Sequence, residues 1–280
     1  MIGVANANPG ADTITFDPAI LPGKITLSLE INILDTLTIK GPGIDLLPVS
    51  GNDLVRIFNI GDGTVALKPT TISGNVADAS GGAIFAQPTS VLNLTGNKFT
   101  ENRALYGGAI NMIGNMGGQA VTANLSGNLF QANVAEKMGG AVAASGASKF
   151  TSKSDRFIGN VVTIGQGGGV FLANTGGIFI TGSLFQGNVA GSSGGGLNIQ
   201  GGAILTSVKV LENIAGPGGR GGGLRIDSAN VFIFKSVITG NVANDGGGIV
   251  NTVGTTTLDA ATRAATKGNS AGINPNTVGV

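Results

Sequence analysis

Apolar and polar residues alternate with a period of two through much of this chain, in short runs broken by glycine. The clearest run sets Ile25, Leu27, Leu29, Ile31 and Ile33 against Thr26, Ser28, Glu30 and Asn32. That is the pattern of a half-buried strand. Shorter runs at Thr13–Phe16, Thr36–Lys40 and Val55–Ile60 predict further strands. Asn8-Pro9-Gly10, Pro22-Gly23 and Gly41-Pro42-Gly43 mark the turns between them. Nothing in residues 1–66 has helical spacing, and they read as the opening coils of one body spanning 1–280.

From Thr70 the alternation becomes a repeat. A Phe/Ile/Val-x-x-Asn step is followed by Gly-Gly, a small residue and an aliphatic one. The asparagines are Asn75, Asn102, Asn133, Asn160, Asn188, Asn213 and Asn241. The aliphatics are Ile84, Ile110, Val142, Val170, Leu197, Leu224 and Ile249, spaced 26, 32, 28, 27, 27 and 25 residues apart. A fixed period of this size means stacked units, each unable to bury its apolar face without a neighbour. Regular repeats fill 67–255. In 256–280 the pattern degenerates: Lys267-Gly268-Asn269 keeps the asparagine, but Thr266 replaces the apolar residue and four alanines thin the core. This stretch reads as a capped or frayed end.

Helical hairpins could share this period, but two or three glycines per unit would cost each helix about 1 kcal/mol apiece. The prediction is an all-β, right-handed parallel β-helix, a single-stranded solenoid with three short strands and three turns per coil. Each strand pairs with its equivalent one coil above, about 4.8 Å away, and right-handed connection is the preferred sense. The Gly-Gly pair marks a corner with no room for Cβ or with positive φ. The asparagines occupy a second corner, where left-handed geometry is tolerated and stacked amides form a ladder of about 1 kcal/mol per bond. Three residues before each lies an inward Ile72, Phe99, Phe130, Phe157, Phe185, Val210 or Ile238, each contributing about 1.5–3 kcal/mol on burial.

Composition narrows the function. Fifty glycines in 280 residues lack the collagen period, and 41% hydrophobic content argues against disorder. Sixteen basic and fifteen acidic residues are spread without runs, and Tyr106 stands alone among Tyr and Trp. No nucleic-acid footprint is present. With neither Cys nor His, disulfides, thiolate nucleophiles, imidazole bases and ordinary zinc sites are excluded. No apolar run approaches the length of a membrane-spanning helix. No motif points to a cofactor or metal: Gly218-Gly219-Arg220-Gly221 lacks the Asp of a calcium-binding roll, and no glycine cluster has phosphate-loop context.

The strand after each Gly-Gly is the face most open to chemistry. Its outward positions hold Phe85/Gln87, Asn111/Ile113, Ala143/Ser145, Phe171/Ala173, Asn198/Gln200, Arg225/Asp227 and Val250/Thr252. Asp227 is the one carboxylate there, so the two-acid arrangement of glycoside hydrolysis cannot be assembled. Asp78, Glu136 and Asp245 fall on one stacked turn of non-adjacent coils and read as solvated charges. Asn198, Gln200, Arg225 and Asp227, with Arg220 in the turn before, form the one polar cluster crossing adjacent coils. It reads either as an ordinary wet strand face or as a binding site for a sugar or peptide.

Gly-Gly-Ala-Ile at 81–84 and 107–110, paired with Phe-x-x-Asn at 99–102, 130–133, 157–160 and 185–188, resembles the repeat of the polymorphic outer-membrane proteins, and more broadly bacterial surface β-helices. Ala5-Asn6-Ala7-Asn8-Pro9-Gly10-Ala11-Asp12-Thr13-Ile14-Thr15-Phe16 resembles their opening segment. The resemblance implies a secreted or surface-displayed scaffold or adhesive passenger, extracellular or on the bacterial cell surface, with a host-surface protein or glycan as partner and no catalysis. Because β-helices also carry polysaccharide lyases and glycoside hydrolases, a carbohydrate-active enzyme with an atypical site is the rival expectation.

Overall fold

The computed structural model describes residues 2–115, 117–173, 176–227, 229–274 and 276–278. Glycine corners recurring every coil leave segments too short for helices, and the strands between them can satisfy their edges only against equivalent strands. The outcome is a β-solenoid whose described strands pair in parallel throughout. Three sheets of ten strands run its length, and a fourth has seven, among the described residues. We number the sheets in the order a regular coil meets them. Sheet 1 follows the Gly-Gly corner, from Ile31–Ile33 to Thr277–Val278. Sheet 2 runs from Asp12–Ile14 to Gly254–Leu258. Sheet 3 carries the Phe column, from Ile25–Thr26 to Thr266–Lys267.

Sheet 4 was not expected. Three strands per coil were predicted, yet the residues after the asparagine form a fourth, from Arg103–Tyr106 to Ser270–Ile273. Segments such as Val161–Val162 and Val189–Ala190 are only two residues long, too short for alternation to reveal. The long run 25–33 also departs from expectation. It breaks into Ile25–Thr26 on sheet 3 and Ile31–Ile33 on sheet 1, and Leu29 at the corner is 77% exposed. Period two survived in the sequence because the chain stays extended on both sides of the bend. Residues 1–66 do contain a helix, α1 (Ile2–Ala7), against expectation. With no charge and three small residues, Gly3, Ala5 and Ala7, it has little periodic signature. It packs beside Ile31–Ile33.

The two glycines of each corner answer different demands. Gly194 has φ +67°, and a Cβ there would lie 2.6 Å from the Leu197 carbonyl oxygen. Gly195 has no such φ, but its Cβ would meet the Gly222 oxygen of the next coil at 2.3 Å. The first glycine turns the chain; the second lets coils stack. At the other corner the left-handed residue is not the asparagine but the one before it: Gly74, Glu101, Ala132, Gly159, Gly187, Glu212 and Gly240, with φ between +53° and +70°.

Freed from that role, the asparagine side chains turn inward, fully buried. Each Nδ2 from Asn102 to Asn241 donates to the next Oδ1, Asn102 to Asn133 at 2.8 Å and Asn213 to Asn241 at 2.9 Å. Asn241 passes the ladder to Asn269 at 2.8 Å. Beside it Phe99, Phe130, Phe157 and Phe185 stack with ring centroids 4.9, 4.9 and 4.7 Å apart. A second ladder, not read from the sequence, stands between sheets 2 and 3. Asn97 donates to Asn128 (3.1 Å) and Asn128 to Asp155 (2.9 Å). Burial pushes the Asp155 carboxyl above the usual carboxylate range, against the opposing hydrogen bonds from Ser152 and Asn128. Beyond residue 256 the chain inserts α2 (Ala260–Ala265), capped by Asp259, before rejoining sheet 3.

Candidate functional site

Strand register brings the four candidate residues onto one face. On sheet 1, Asn198 of Leu197–Gln200 pairs with Arg225 of Leu224–Ile226, and Arg225 with Val250. Gln200 lies in register with Ala173, partly exposed. Asp227 follows Leu224–Ile226 and donates its N–H to the Ile199 carbonyl, 2.8 Å.

This is not the wet strand face that alternation implies. Asn111, Ala143, Phe171, Asn198 and Val250 are all buried, although they point away from the rod interior. The glycine corner folds back over them: a Cβ on Gly194 would touch that of Asn198 at 3.0 Å, and one on Gly167 that of Phe171 at 2.9 Å. Without side chains on those glycines the turn lies flat on the strand. Residues leading into the corner close the cover, Tyr106 and Met138 sharing a small hollow with Asn111, Ala143 and Phe171.

Asn198 Nδ2 donates to Gln166 Oε1 at 2.9 Å, while its Oδ1 is buried without a hydrogen bond. Arg225 Nε and Asp227 Oδ2 approach to 2.8 Å. The N–H is not aligned with the oxygen, so the contact is an ion pair rather than a directed hydrogen bond. Thr252 donates to the other Asp227 oxygen. At the rim Arg220 Nε faces Asp245 Oδ2 at 3.4 Å. Asp245 was expected to be a solvated charge; a backbone bridge between Arg220 and Asp245 places it here instead.

The site is therefore two guanidinium–carboxylate pairs, formally neutral, beside the three amides of Asn198, Gln200 and Gln166. Its planar donors and acceptors suit a polyhydroxyl or peptide ligand. Arg220 sits at the cluster as its place in the preceding turn implies, whereas Gln166 and Asp245 reach it from other coils and carry no local signal. Asp78 and Glu136, both exposed, line a separate groove outside sheet 4 of about 420 Å³, with Arg103 between their coils. Among the described residues no group of three or more acidic side chains is placed to hold a metal ion.

Residues 69–87 match the family model of the Chlamydia polymorphic membrane protein (Chlamydia_PMP) repeat. The matched stretch holds Thr71–Ser73 of sheet 3, the Gly74-Asn75 corner, the Gly81-Gly82 corner and Ile84–Ala86 of sheet 1. The matched stretch thus spans both corners that build the rod, and equivalent corners recur as far as Ile249. No curated protein and no solved structure matches the chain.

Proposed function

We propose that the chain is the non-catalytic rod of an extracellular or bacterial cell-surface protein, a scaffold or adhesin-like passenger that presents Asn198, Gln200, Arg225 and Asp227 to a host-surface protein or glycan. The observation that carries this reading is the match of residues 69–87 to a membrane-protein repeat whose two corners recur through the stack. The site chemistry supports it. Asp227 is engaged by Arg225 and Thr252 and Asp245 by Arg220, so both carboxylates of the cluster are held by guanidinium groups, whereas glycoside hydrolysis calls for a pair of carboxyl groups flanking the scissile bond.

The test is an immobilised glycan array and a cultured-cell binding assay, run beside turnover assays on pectin and alginate. Binding should fall at least tenfold in the Arg225→Ala/Asp227→Ala double variant, with an unchanged melting temperature and no oligosaccharide released by either protein. Sustained release of unsaturated or reducing oligosaccharide by the purified chain would favour the enzymatic rival and overturn the reading.

A further inference from the structure

The interior of the rod is not filled evenly. In the middle coils the inward column of sheet 3 is four stacked phenylalanine rings. Followed toward the N-terminus in strict register, Phe99 gives way to Ile72, then Val49, then Ile25. Aliphatic side chains standing where the next coils hold rings leave a hollow of about 490 Å³ in the opening coils. Ile39 and Leu67 of sheet 2, Phe58 of sheet 1 and Ile2 of α1 complete its walls.

The hollow is apolar and open. Three polar side chains line its edge, Asn6, Asn32 and Thr70: Asn6 donates to the Asn32 carbonyl (2.8 Å) and accepts from the Leu34 N–H (3.0 Å), and Asn32 Oδ1 accepts from Asn59 (2.7 Å). Ile2, Leu27, Ile31 and Val49 are only partly buried, so solvent reaches the hollow beside α1. From Ile25 to Ile72 it follows the rod axis for two coil steps, about 10 Å. A volume of this size, with apolar walls and a mouth, is the form of a ligand pocket rather than of a packing defect.

We infer that this hollow binds an unbranched acyl or alkyl chain. The chain lies along the axis, and any polar head stays at the mouth, where water solvates it, since the walls are almost wholly apolar.

The experiment titrates the full chain with cis-parinaric acid, whose fluorescence rises in apolar surroundings, and displaces it with n-alkanoic acids of increasing length. One saturable site is expected, with affinity rising roughly fourfold per methylene and levelling once the hollow is full. Val49→Phe and Ile25→Phe carry the ring column into the hollow, and each should weaken binding at least tenfold without lowering the melting temperature. Phe179→Ser, at a residue 52% exposed on the outer face of sheet 2, should leave binding unchanged. Independently of any variant, decanoate should shift the methyl NMR signals of Ile25, Val49 and Ile72 but not those of Ile226. Absence of saturable binding, binding untouched by both ring variants, or shifts confined to other coils would overturn the assignment.

Discussion

Asn160→Ala tests the ladder directly, because the amide of Asn160 makes four hydrogen bonds in a fully buried place. Its Nδ2 donates to Asn188 Oδ1 (2.9 Å) and to the Phe130 carbonyl (3.1 Å). Its Oδ1 accepts from the Asn133 N–H (3.1 Å) and from Asn133 Nδ2 (2.9 Å). Sequence alone predicts one ladder bond; the structure ties the amide to the backbone of the coil below as well. Truncation leaves two buried donors on Asn133 without acceptors. At about 1–3 kcal/mol for each orphaned group, the expected loss is about 2–6 kcal/mol. Asn124→Ala supplies the contrast: this exposed amide donates only to Asn93 on the outer face of sheet 2 (2.9 Å), and its loss should cost less than about 1 kcal/mol. The assay is urea unfolding followed by far-ultraviolet circular dichroism. Midpoints are compared only where the denaturant slope is unchanged, since stacked repeats need not unfold in two states. Equal shifts for the two variants would refute the argument that burial and full satisfaction make the ladder a main support of the rod.

Gly195→Val should prevent folding or lower the melting temperature far more than Gly187→Ala. The former drives a Cβ to within 2.3 Å of a backbone oxygen, whereas the latter, at φ +62°, has nothing within 4 Å and bears only the left-handed penalty, about 1–2 kcal/mol. Comparable thermal melts would show that stacked backbones do have room at that corner. Asp155 gives a pH dependence of defined sign. Because its folded pKa is raised by burial, the native state holds the proton more tightly than the unfolded chain. Its contribution is fully present below the ordinary carboxylate range and is lost as pH rises through the folded value. Asp155→Asn should therefore flatten the decline in the urea midpoint between acidic and neutral pH; an unchanged slope would refute the assignment.

The stacking was legible because each determinant recurs in register: Gly-Gly, the inward Phe and the Asn each repeat once per coil, so period and identity reinforce one another. Other features lacked that reinforcement. The ladder through Asn97, Asn128 and Asp155 also repeats, five residues before each Asn step. However, its positions change from Asn to Asp to Ser183, Val208 and Ser236, so matching identities alone do not expose it. Sheet 4 is hidden in three of its seven described coils by strands of two residues, and the bend inside 25–33 by an alternation that continues around the corner. At the candidate site, adjacency of Asn198 and Arg225 followed from register. Burial of Asn198 did not, because it depends on glycines of a preceding corner lying flat across the strand. Gln166 comes from 32 residues away, a distance that no local pattern encodes.

The direction of the amide ladder bears on how such a rod changes length. Every coil from Asn102 to Asn241 hands a donor forward and receives one from behind, with the same geometry at each joint. Excising or duplicating a whole unit therefore joins two corners already complementary in this ladder, and strands none of its amides at the seam. Growth or shrinkage can proceed in increments of about 4.8 Å, with the reach of the molecule adjustable while its cross-section stays fixed.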